Sequence, residues 1–312
     1  MKELQLQNEE TNKLIEFERA DAAYHAIKTP ERIGSVTTFL RALEQLPHDK
    51  DYEYYFRGHS NAEYQLIPSL YRDKRYIDNE HRMFREIILR CPNEFHELET
   101  TFQKLVKMQH YALPTRLLDL TGNPLIALFF ACVSLDKKKD GEVIIFRIPK
   151  SEIKYFDSDT VSVISNISKQ PDSFHFQVSV NQTPEEFSAQ ESIKLLIHDI
   201  QQERSGFEPK IKADHLQSVI FVKPMQDNAR IMRQDGAFLL FGVLENKNKP
   251  AIVEKSYTDI QIGASEKFKL IINANEKQKM ILQLESLGIN TGKIYPEIET
   301  VSQYIRGLYK TV

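Results

Sequence analysis

The stretch that decides the fold is residues 109–132, QHYALPTRLLDLTGNPLIALFFAC. Its first half brings histidine, arginine, aspartate, threonine and asparagine together within fifteen residues. Its second half is apolar on all sides, and Asn123 followed by Pro124 is typical of a helix N-cap with proline at the first helical position. We therefore expect a buried helix that the chain enters through hydrogen-bonding groups, which must satisfy one another or a ligand.

The hydrophobic pattern on both sides of this stretch predicts helices mainly before it and strands mainly after it. Alternation makes YEYYFRG, residues 52–58, a strand that ends at Gly58 and carries Arg57 opposite its apolar face. The other strand candidates are 141–150, 217–223, 237–244, 250–257 and 267–273, and the helix candidates are 35–46, 80–91, 98–111, 193–200, 276–287 and 298–310. Because strands and helices do not alternate regularly, the pattern favours an α+β fold with a mixed or antiparallel sheet and flanking helices.

Composition suggests the division of the chain into an arm and one domain. Residues 1–33 are polar and predict a loosely attached N-terminal arm, and residues 34–312 predict a single domain. Residues 151–184 are rich in Ser, Asp, Asn and Gln with little periodicity, which indicates a mobile loop or a variable insertion. We expect a variable insertion around residues 151–215.

Charge and motif content exclude several classes of protein. The 41 basic and 44 acidic residues give a net charge of −3, which argues against binding nucleic acid through bulk positive charge. No Gly-rich phosphate loop occurs, and the two cysteines and the histidine spacings predict no metal site. Since the N-terminus lacks a signal-type apolar region and no apolar run is long enough to span a bilayer, we expect a cytoplasmic chain without a membrane partner.

Two arginines and a histidine are the first candidates for chemistry. Arg57 offers a planar fork suited to phosphate or carboxylate, although an exposed charge at a strand end is the plainer alternative. His110 and Arg116 have no obvious partner at local spacing. Asp119 and Asn123 are equally open to a structural interpretation, in which the carboxylate pairs locally and the amide caps a helix.

A third candidate cluster lies in RIMRQDGAFL, residues 230–239, where polar residues lead directly into a strand candidate. Gln234 is the side chain of interest there. The structural alternative is a turn at Asp235-Gly236 with both arginines in solvent.

Several segments together resemble the FRG domain, a bacterial family named for its Phe-Arg-Gly motif. The first is Phe56-Arg57-Gly58, the second is EYQLIPSLYR at 63–72, and the third is the deciding stretch, close to the family pattern Q-H-x-G-x-P-T-R-L-L-D-W-T-x-N-P-L. Residues 230–242 resemble the family's R-x-x-x-Q-x-G-x-F segment, and the likeness extends from about residue 34 to the end. Two positions depart from the pattern: Ala112 replaces a glycine, and Leu120 replaces a tryptophan, which removes an aromatic wall.

The order of these segments is similar to that of ADP-ribosyltransferases, and this similarity implies NAD as the substrate. It implies that Arg57, His110 and Gln234 are catalytic and that the nucleotide-binding residues are Arg57, Gly58, Arg116, Asp119, Thr121 and Asn123. Gln234 would stand where such enzymes carry glutamate, and Glu254 on a neighbouring strand candidate is the fallback. The resemblance further implies a bacterial toxin or phage-defence role, with a protein or nucleic-acid acceptor.

Two other interpretations stay open. In one, the chain is a non-enzymatic module in which Arg57, Arg72 and Arg116 bind a phosphate-bearing ligand or a nucleic-acid end. In the other, the polar array is a structural latch, so that Asp119→Ala would unfold the protein. A functional site instead predicts lost activity with stability retained.

Overall fold

The computed structural model describes residues 32–133, 138–260 and 269–309. Within these ranges the strands are β1 (Tyr52–His59), β2 (Leu117–Thr121), β3 (Gly141–Pro149), β4 (Lys154–Tyr155), β5 (Val219–Lys223), β6 (Gly236–Phe241) and β7 (Leu270–Ile272). The α-helices are α1 (Val36–Leu43), α2 (Lys74–Asp78), α3 (Glu80–Arg90), α4 (Thr101–His110), α5 (Pro124–Cys132), α6 (Asp159–Asn166), α7 (Pro184–Ser188), α8 (Glu191–Glu203), α9 (Ala213–Leu216), α10 (Ala229–Gln234), α11 (Lys277–Ser286), α12 (Thr291–Ile294) and α13 (Ile298–Leu308). The predicted polar arm lies almost wholly outside the described residues.

The seven strands form one sheet in the order β4-β5-β6-β2-β1-β3-β7. Every neighbouring pair is antiparallel except β4 and β5, which are parallel. This arrangement confirms the predicted α+β fold with a mixed, mainly antiparallel sheet and flanking helices. Strand β1 lies near the middle of the sheet, between β2 and β3.

Strand β1 is buried on both of its faces. Phe56 packs with Ala127 and Ala131 of helix α5 on one side. Tyr55 packs on the other side against Phe221, with 4.2 Å between the ring centroids. The sequence predicted a single apolar face, but the aromatic side chains on both faces are covered by neighbouring elements.

Helix α5 has the buried environment and the cap that its sequence predicts. Its residues from Ile126 to Phe129 are all buried. The side-chain oxygen of Asn123 accepts a hydrogen bond from the Leu125 amide at 3.0 Å, which satisfies one of the free N–H groups of the first turn.

Three local predictions were wrong. Residues 159–166, expected in a mobile loop, form helix α6. Its buried positions include serines, so the hydrophobic periodicity of a helix is not visible in the sequence. These serines are satisfied by the backbone, as when the Ser165 hydroxyl donates to the Val161 carbonyl at 2.6 Å. Residues 250–257 form no strand, because the only pairing there is an isolated bridge at Pro250 before a 3₁₀ turn. Strand β2, in contrast, lies unpredicted within the polar half of the deciding stretch.

The glycine of the Phe-Arg-Gly motif permits the close packing of β1 on α5. A Cβ atom added at Gly58 would lie 2.0 Å from the Ala127 carbonyl oxygen and 2.7 Å from the Ala131 nitrogen. Both are backbone atoms of a buried helix, so they cannot move aside individually. Any side chain at this position would push the helix away from the sheet.

We expect Gly58→Ala to lower the free energy of unfolding by about 3 kcal/mol, because overpacking against backbone cannot be relieved by a rotamer change. The matched control is Gly206→Ala, where an added Cβ meets nothing within 4 Å. Urea denaturation of both variants measures the difference. Equal stabilities for the two variants would contradict this account of the motif glycine.

Candidate functional site

A cavity of about 270 Å³ lies beside the ends of β1 and β2. Strand β1 contributes Arg57, Gly58 and His59, and β2 contributes Asp119, Leu120 and Thr121. The opposite side comes from later in the chain, through Arg230 and Gln234 of α10 and Tyr295 after α12. The structure therefore brings together five of the predicted site residues: Arg57, Gly58, Asp119, Thr121 and Gln234.

Arg57 is held in a fixed orientation in this cavity. Its Nε donates to Nε2 of His59 at 2.9 Å, and its Nη1 donates to the backbone carbonyl of Asp119 at 2.7 Å. Burial lowers the pKa of Arg57 to about 10, against the opposing effect of the Asp119 carboxylate and with a smaller contribution from the Arg72 charge. The guanidinium is therefore still a cation at neutral pH.

His59 is a site residue that the sequence interpretation missed. It is only 3% exposed, and burial, with the charges of Arg57 and Arg72, lowers its pKa to about 4. The ring is therefore neutral at pH 7, and because Nε2 accepts from Arg57 its proton belongs on Nδ1. The signal that could have identified it is its position two residues after Arg57, on the same face of the strand.

Cations and aromatic rings dominate the lining. Three arginines line the cavity, namely Arg57, Arg72 and Arg230, and Asp119 is the only carboxylate among the lining residues that the structure describes. The aromatic members are Phe56, Tyr64, Phe130 and Tyr295. The Arg230 guanidinium lies 4.7 Å from the centre of the Tyr295 ring, a cation–π contact.

Asp119 and Gln234 are held by different networks. The Asp119 carboxylate accepts from the Gln109 amide at 2.9 Å, and Gln109 in turn accepts from the Thr115 hydroxyl at 2.6 Å. The Gln234 side-chain amide donates to the Ile294 carbonyl at 3.3 Å. The Asp119 side chain is nevertheless exposed, so it can contact a ligand.

His110 lies in a second, adjoining hollow of about 50 Å³, whose wall shares Asp119, Leu120, Arg230 and Gln234 with the main cavity. Both ring nitrogens face protein groups. Nδ1 lies 2.9 Å from the Asn228 amide, and Nε2 lies 2.5 Å from the Glu297 carboxylate. Burial and the Arg230 charge lower the pKa of His110, although Glu297 opposes them.

The structure places Arg116 in the core and not in the cavity. Its side chain is fully buried and donates to the two oxygens of Glu80 at 2.9 and 2.6 Å and to the Phe241 carbonyl at 2.9 Å. Lys247 lies 2.8 Å from the same carboxylate. Burial alone would raise the pKa of Glu80, but the two cations outweigh it and lower that pKa. Arg116 is thus part of a structural ion cluster, and its partner is too distant in sequence to be found from local spacing.

Two further candidates also lie outside the cavity. Asn123 caps helix α5, as described above, and does not line the hollow. Glu254, the fallback for the missing glutamate, is exposed at the start of a 3₁₀ turn, where it accepts from the Ser256 hydroxyl at 3.3 Å. Neither side chain therefore belongs to the same site as Arg57.

Together the fold and the site describe an α+β protein with an arginine-lined cavity at its sheet. Residues 52–140 match the family model of the FRG domain, so the chain contains an FRG domain, as its motifs predict. The match covers β1 to α5 and includes Arg57 and Asp119, whereas Arg230 and Tyr295 lie outside it; the wider domain, 34–312, stays a prediction. No curated protein and no solved structure matches the chain.

Two kinds of feature are absent from residues 32–133, 138–260 and 269–309. No helix there has the length and apolar character needed to cross a bilayer. No group of three or more His, Cys, Asp or Glu side chains there is placed to hold a metal ion.

The two departures from the family pattern have different structural consequences. Ala112 adopts a left-handed backbone conformation, with φ of 58°, in the turn that joins α4 to β2. This conformation favours glycine, which is the residue of the family pattern. Leu120 is buried and lies in the wall of both hollows, where the family tryptophan would occupy more of the space.

Replacing Ala112 with glycine should stabilise the protein by about 0.5–1 kcal/mol, since relief of left-handed strain exceeds the entropy that glycine adds to the unfolded chain. Thermal or urea unfolding measures the change. Ala213→Gly, at the start of helix α9, is the control and should destabilise, because its backbone is helical. A loss of stability in the Ala112→Gly variant would contradict the inference that the backbone at Ala112 is strained.

The ion cluster and Asp119 should respond differently to substitution. Glu80→Gln leaves two buried cations uncompensated and should cost about 3–5 kcal/mol of unfolding free energy. Asp119→Ala removes one exposed hydrogen-bond acceptor and should cost less than about 1 kcal/mol. Urea denaturation compares them, with Glu86→Gln on the exposed side of α3 as the control. A loss for Asp119→Ala as large as that for Glu80→Gln would favour the latch interpretation.

Proposed function

We propose that the cavity binds a nucleotide-like, phosphate-bearing ligand, and that NAD is the substrate of an ADP-ribosyl transfer or hydrolysis there. One observation carries the proposal: three arginines and several aromatic rings line one hollow that contains a single carboxylate among its described residues. Arg57 and Arg72 suit phosphate oxygens. Tyr64 and Tyr295 offer flat faces for a base or a nicotinamide ring.

The chemistry of NAD cleavage assigns a role to Asp119. When the bond between nicotinamide and ribose breaks, positive charge develops on the sugar, and a nearby carboxylate stabilises that charge. The incoming nucleophile, either water or an acceptor group, bonds to the ribose carbon and releases its proton to solvent, as nicotinamide leaves with the bonding electrons. Asp119 supplies the negative charge that the neutral Gln234 amide lacks. The side-chain carbonyl oxygen of Gln234 can accept a hydrogen bond from a ribose hydroxyl.

His110 acts in this proposal through Arg230 and not on the substrate. Arg230 donates to the His110 carbonyl oxygen at 3.0 Å, which holds the guanidinium at the wall between the two hollows. The setting in bacterial toxicity or phage defence, and the cytoplasmic location, rest on the family resemblance and on composition alone.

A second candidate function is ligand binding without turnover. No glutamate is present among the lining residues that the structure describes, and Asp119 is partly engaged by Gln109. The arginines would then serve only to hold a phosphate-bearing small molecule or a nucleic-acid end. Both functions use the same contacts, so turnover is the property that separates them.

Arg72→Gln should weaken NAD binding about tenfold, because it removes one charge-assisted contact from an exposed side chain without disturbing the core. The control is Arg75→Gln, which removes a nearby exposed charge that pairs with Asp73 and does not line the cavity. Isothermal titration calorimetry measures the affinity, and chromatography of released nicotinamide measures turnover. Equal NAD affinity in the two variants, or no NAD binding by the unsubstituted protein, would overturn the proposed function.

Asp119→Asn then separates the two candidates. It keeps an acceptor for Gln109 but removes the negative charge, so we expect NAD binding with nicotinamide release at least tenfold slower. Binding by the unsubstituted protein with no release at all would select the non-enzymatic module.

A further inference from the structure

A third depression, an open groove of about 500 Å³, runs between α4 and the segment 224–231. Its apolar lining includes Phe102 and Val106 from the helix and Ile231 from the facing segment. Val106 and Ile231 also line the hollow that contains His110. The groove therefore adjoins the hollow that contains His110.

The rim of this groove is negatively charged. Glu97 and Glu99 lie on one side and Asp227 on the other, and all three are exposed. Among the described lining residues the only cation is Lys107, which is neutralised by Glu94 at 2.7 Å. The groove thus has the opposite charge to the adjacent arginine-lined cavity, and it disfavours a polyanion such as nucleic acid.

The side walls of the groove suit an apolar side chain. Leu98 is half-buried on one wall, and Pro224 and Met225 form the other, with Met225 39% exposed. A methionine at a surface of this kind adapts to different apolar shapes because its chain is unbranched and its sulfur is polarisable. An apolar floor within an acidic rim is complementary to a peptide with apolar and basic residues side by side.

We propose that this groove docks a segment of a partner protein in which lysine or arginine flanks an apolar side chain. The identification of that segment as the acceptor in ADP-ribosyl transfer rests on the proposed function, because the groove adjoins the hollow that shares a wall with the cavity assigned to NAD. The docking itself depends only on the shape and charge of the groove.

The test is fluorescence anisotropy with a short fluorescein-labelled peptide of alternating lysine and leucine, in the absence of any nucleotide. The double substitution Glu99→Lys with Asp227→Lys should weaken binding about tenfold through charge repulsion. Glu285→Lys, an exposed carboxylate on α11 outside the groove, is the matched control and should bind like the unsubstituted protein. Met225→Ser, which keeps the charges, should weaken binding several-fold by removing the apolar wall.

Equal affinity of the double variant and the Glu285→Lys control for the peptide would overturn the docking proposal. The proposal would also fail if the unsubstituted protein did not bind the lysine–leucine peptide. It would fail equally if the protein preferred a matched glutamate–leucine peptide or single-stranded RNA. These results are independent of NAD. Peptide binding with no affinity for NAD would support the docking proposal and contradict the proposed function. NAD turnover without peptide binding would support the proposed function and contradict the docking proposal.

Discussion

The close contact between strand β1 and helix α5 at Gly58 is the constraint on which the arrangement of the site depends. With no side chain at Gly58, the strand lies directly against the helix backbone. Successive residues of a strand point to opposite faces, so Arg57 and His59 both point away from the helix contact. The hydrogen bond between their side chains is the direct result, and it fixes the guanidinium at the cavity. The motif glycine is thus a packing residue that positions the functional ones.

Arg57 and Arg116 differ in the partners of their side chains. Arg116 is surrounded by the Glu80 carboxylate and a backbone carbonyl, which satisfy a fully buried charge. The hydrogen bonds that the structure describes for the Arg57 side chain go to neutral groups, a histidine nitrogen and a carbonyl oxygen, and the charge of the Asp119 carboxylate also favours the charged guanidinium. The first arrangement stabilises the core, whereas the second leaves a net positive potential in the cavity, which is what an anionic ligand requires.

Local patterns predicted the elements that have one clear period, and they failed where polar and apolar residues are buried together. Helix α5 and strand β1 were predicted because a continuous apolar run and an alternating aromatic run are strong signals. Strand β2 was missed because Asp119 and Thr121 gave its sequence a polar character, although Leu117, Leu118 and Leu120 are buried. Helix α6 was missed for the same reason, since its buried serines resemble loop residues.

The sequence identified only some of the residues of the site. The family motif marked Arg57 and Asp119, which β1 and β2 bring together as near neighbours in the sheet. Tyr295 lines the cavity from a segment more than 150 residues after strand β2. Neither the spacing nor the periodicity of the sequence predicts such a contact. The same holds for the pairing of Glu80 with Arg116, across 36 residues, which removed Arg116 from the site. Long-range contacts of this kind are decided by packing and charge satisfaction, and they appear only once the chain is folded.

The charges around the site are separated into two regions with the His110 hollow between them. The hollow shares Asp119 and Arg230 with the arginine-lined cavity, and it shares Val106 and Ile231 with the acidic groove beside α4. The electrostatic potential would therefore direct two ligands of opposite charge to different regions before any specific contact forms. This separation is carried by long-range electrostatics, so it should fade as ionic strength rises and the Debye length falls below about 10 Å. This arrangement supports the proposed function, in which a phosphate-bearing small molecule and a basic partner bind side by side.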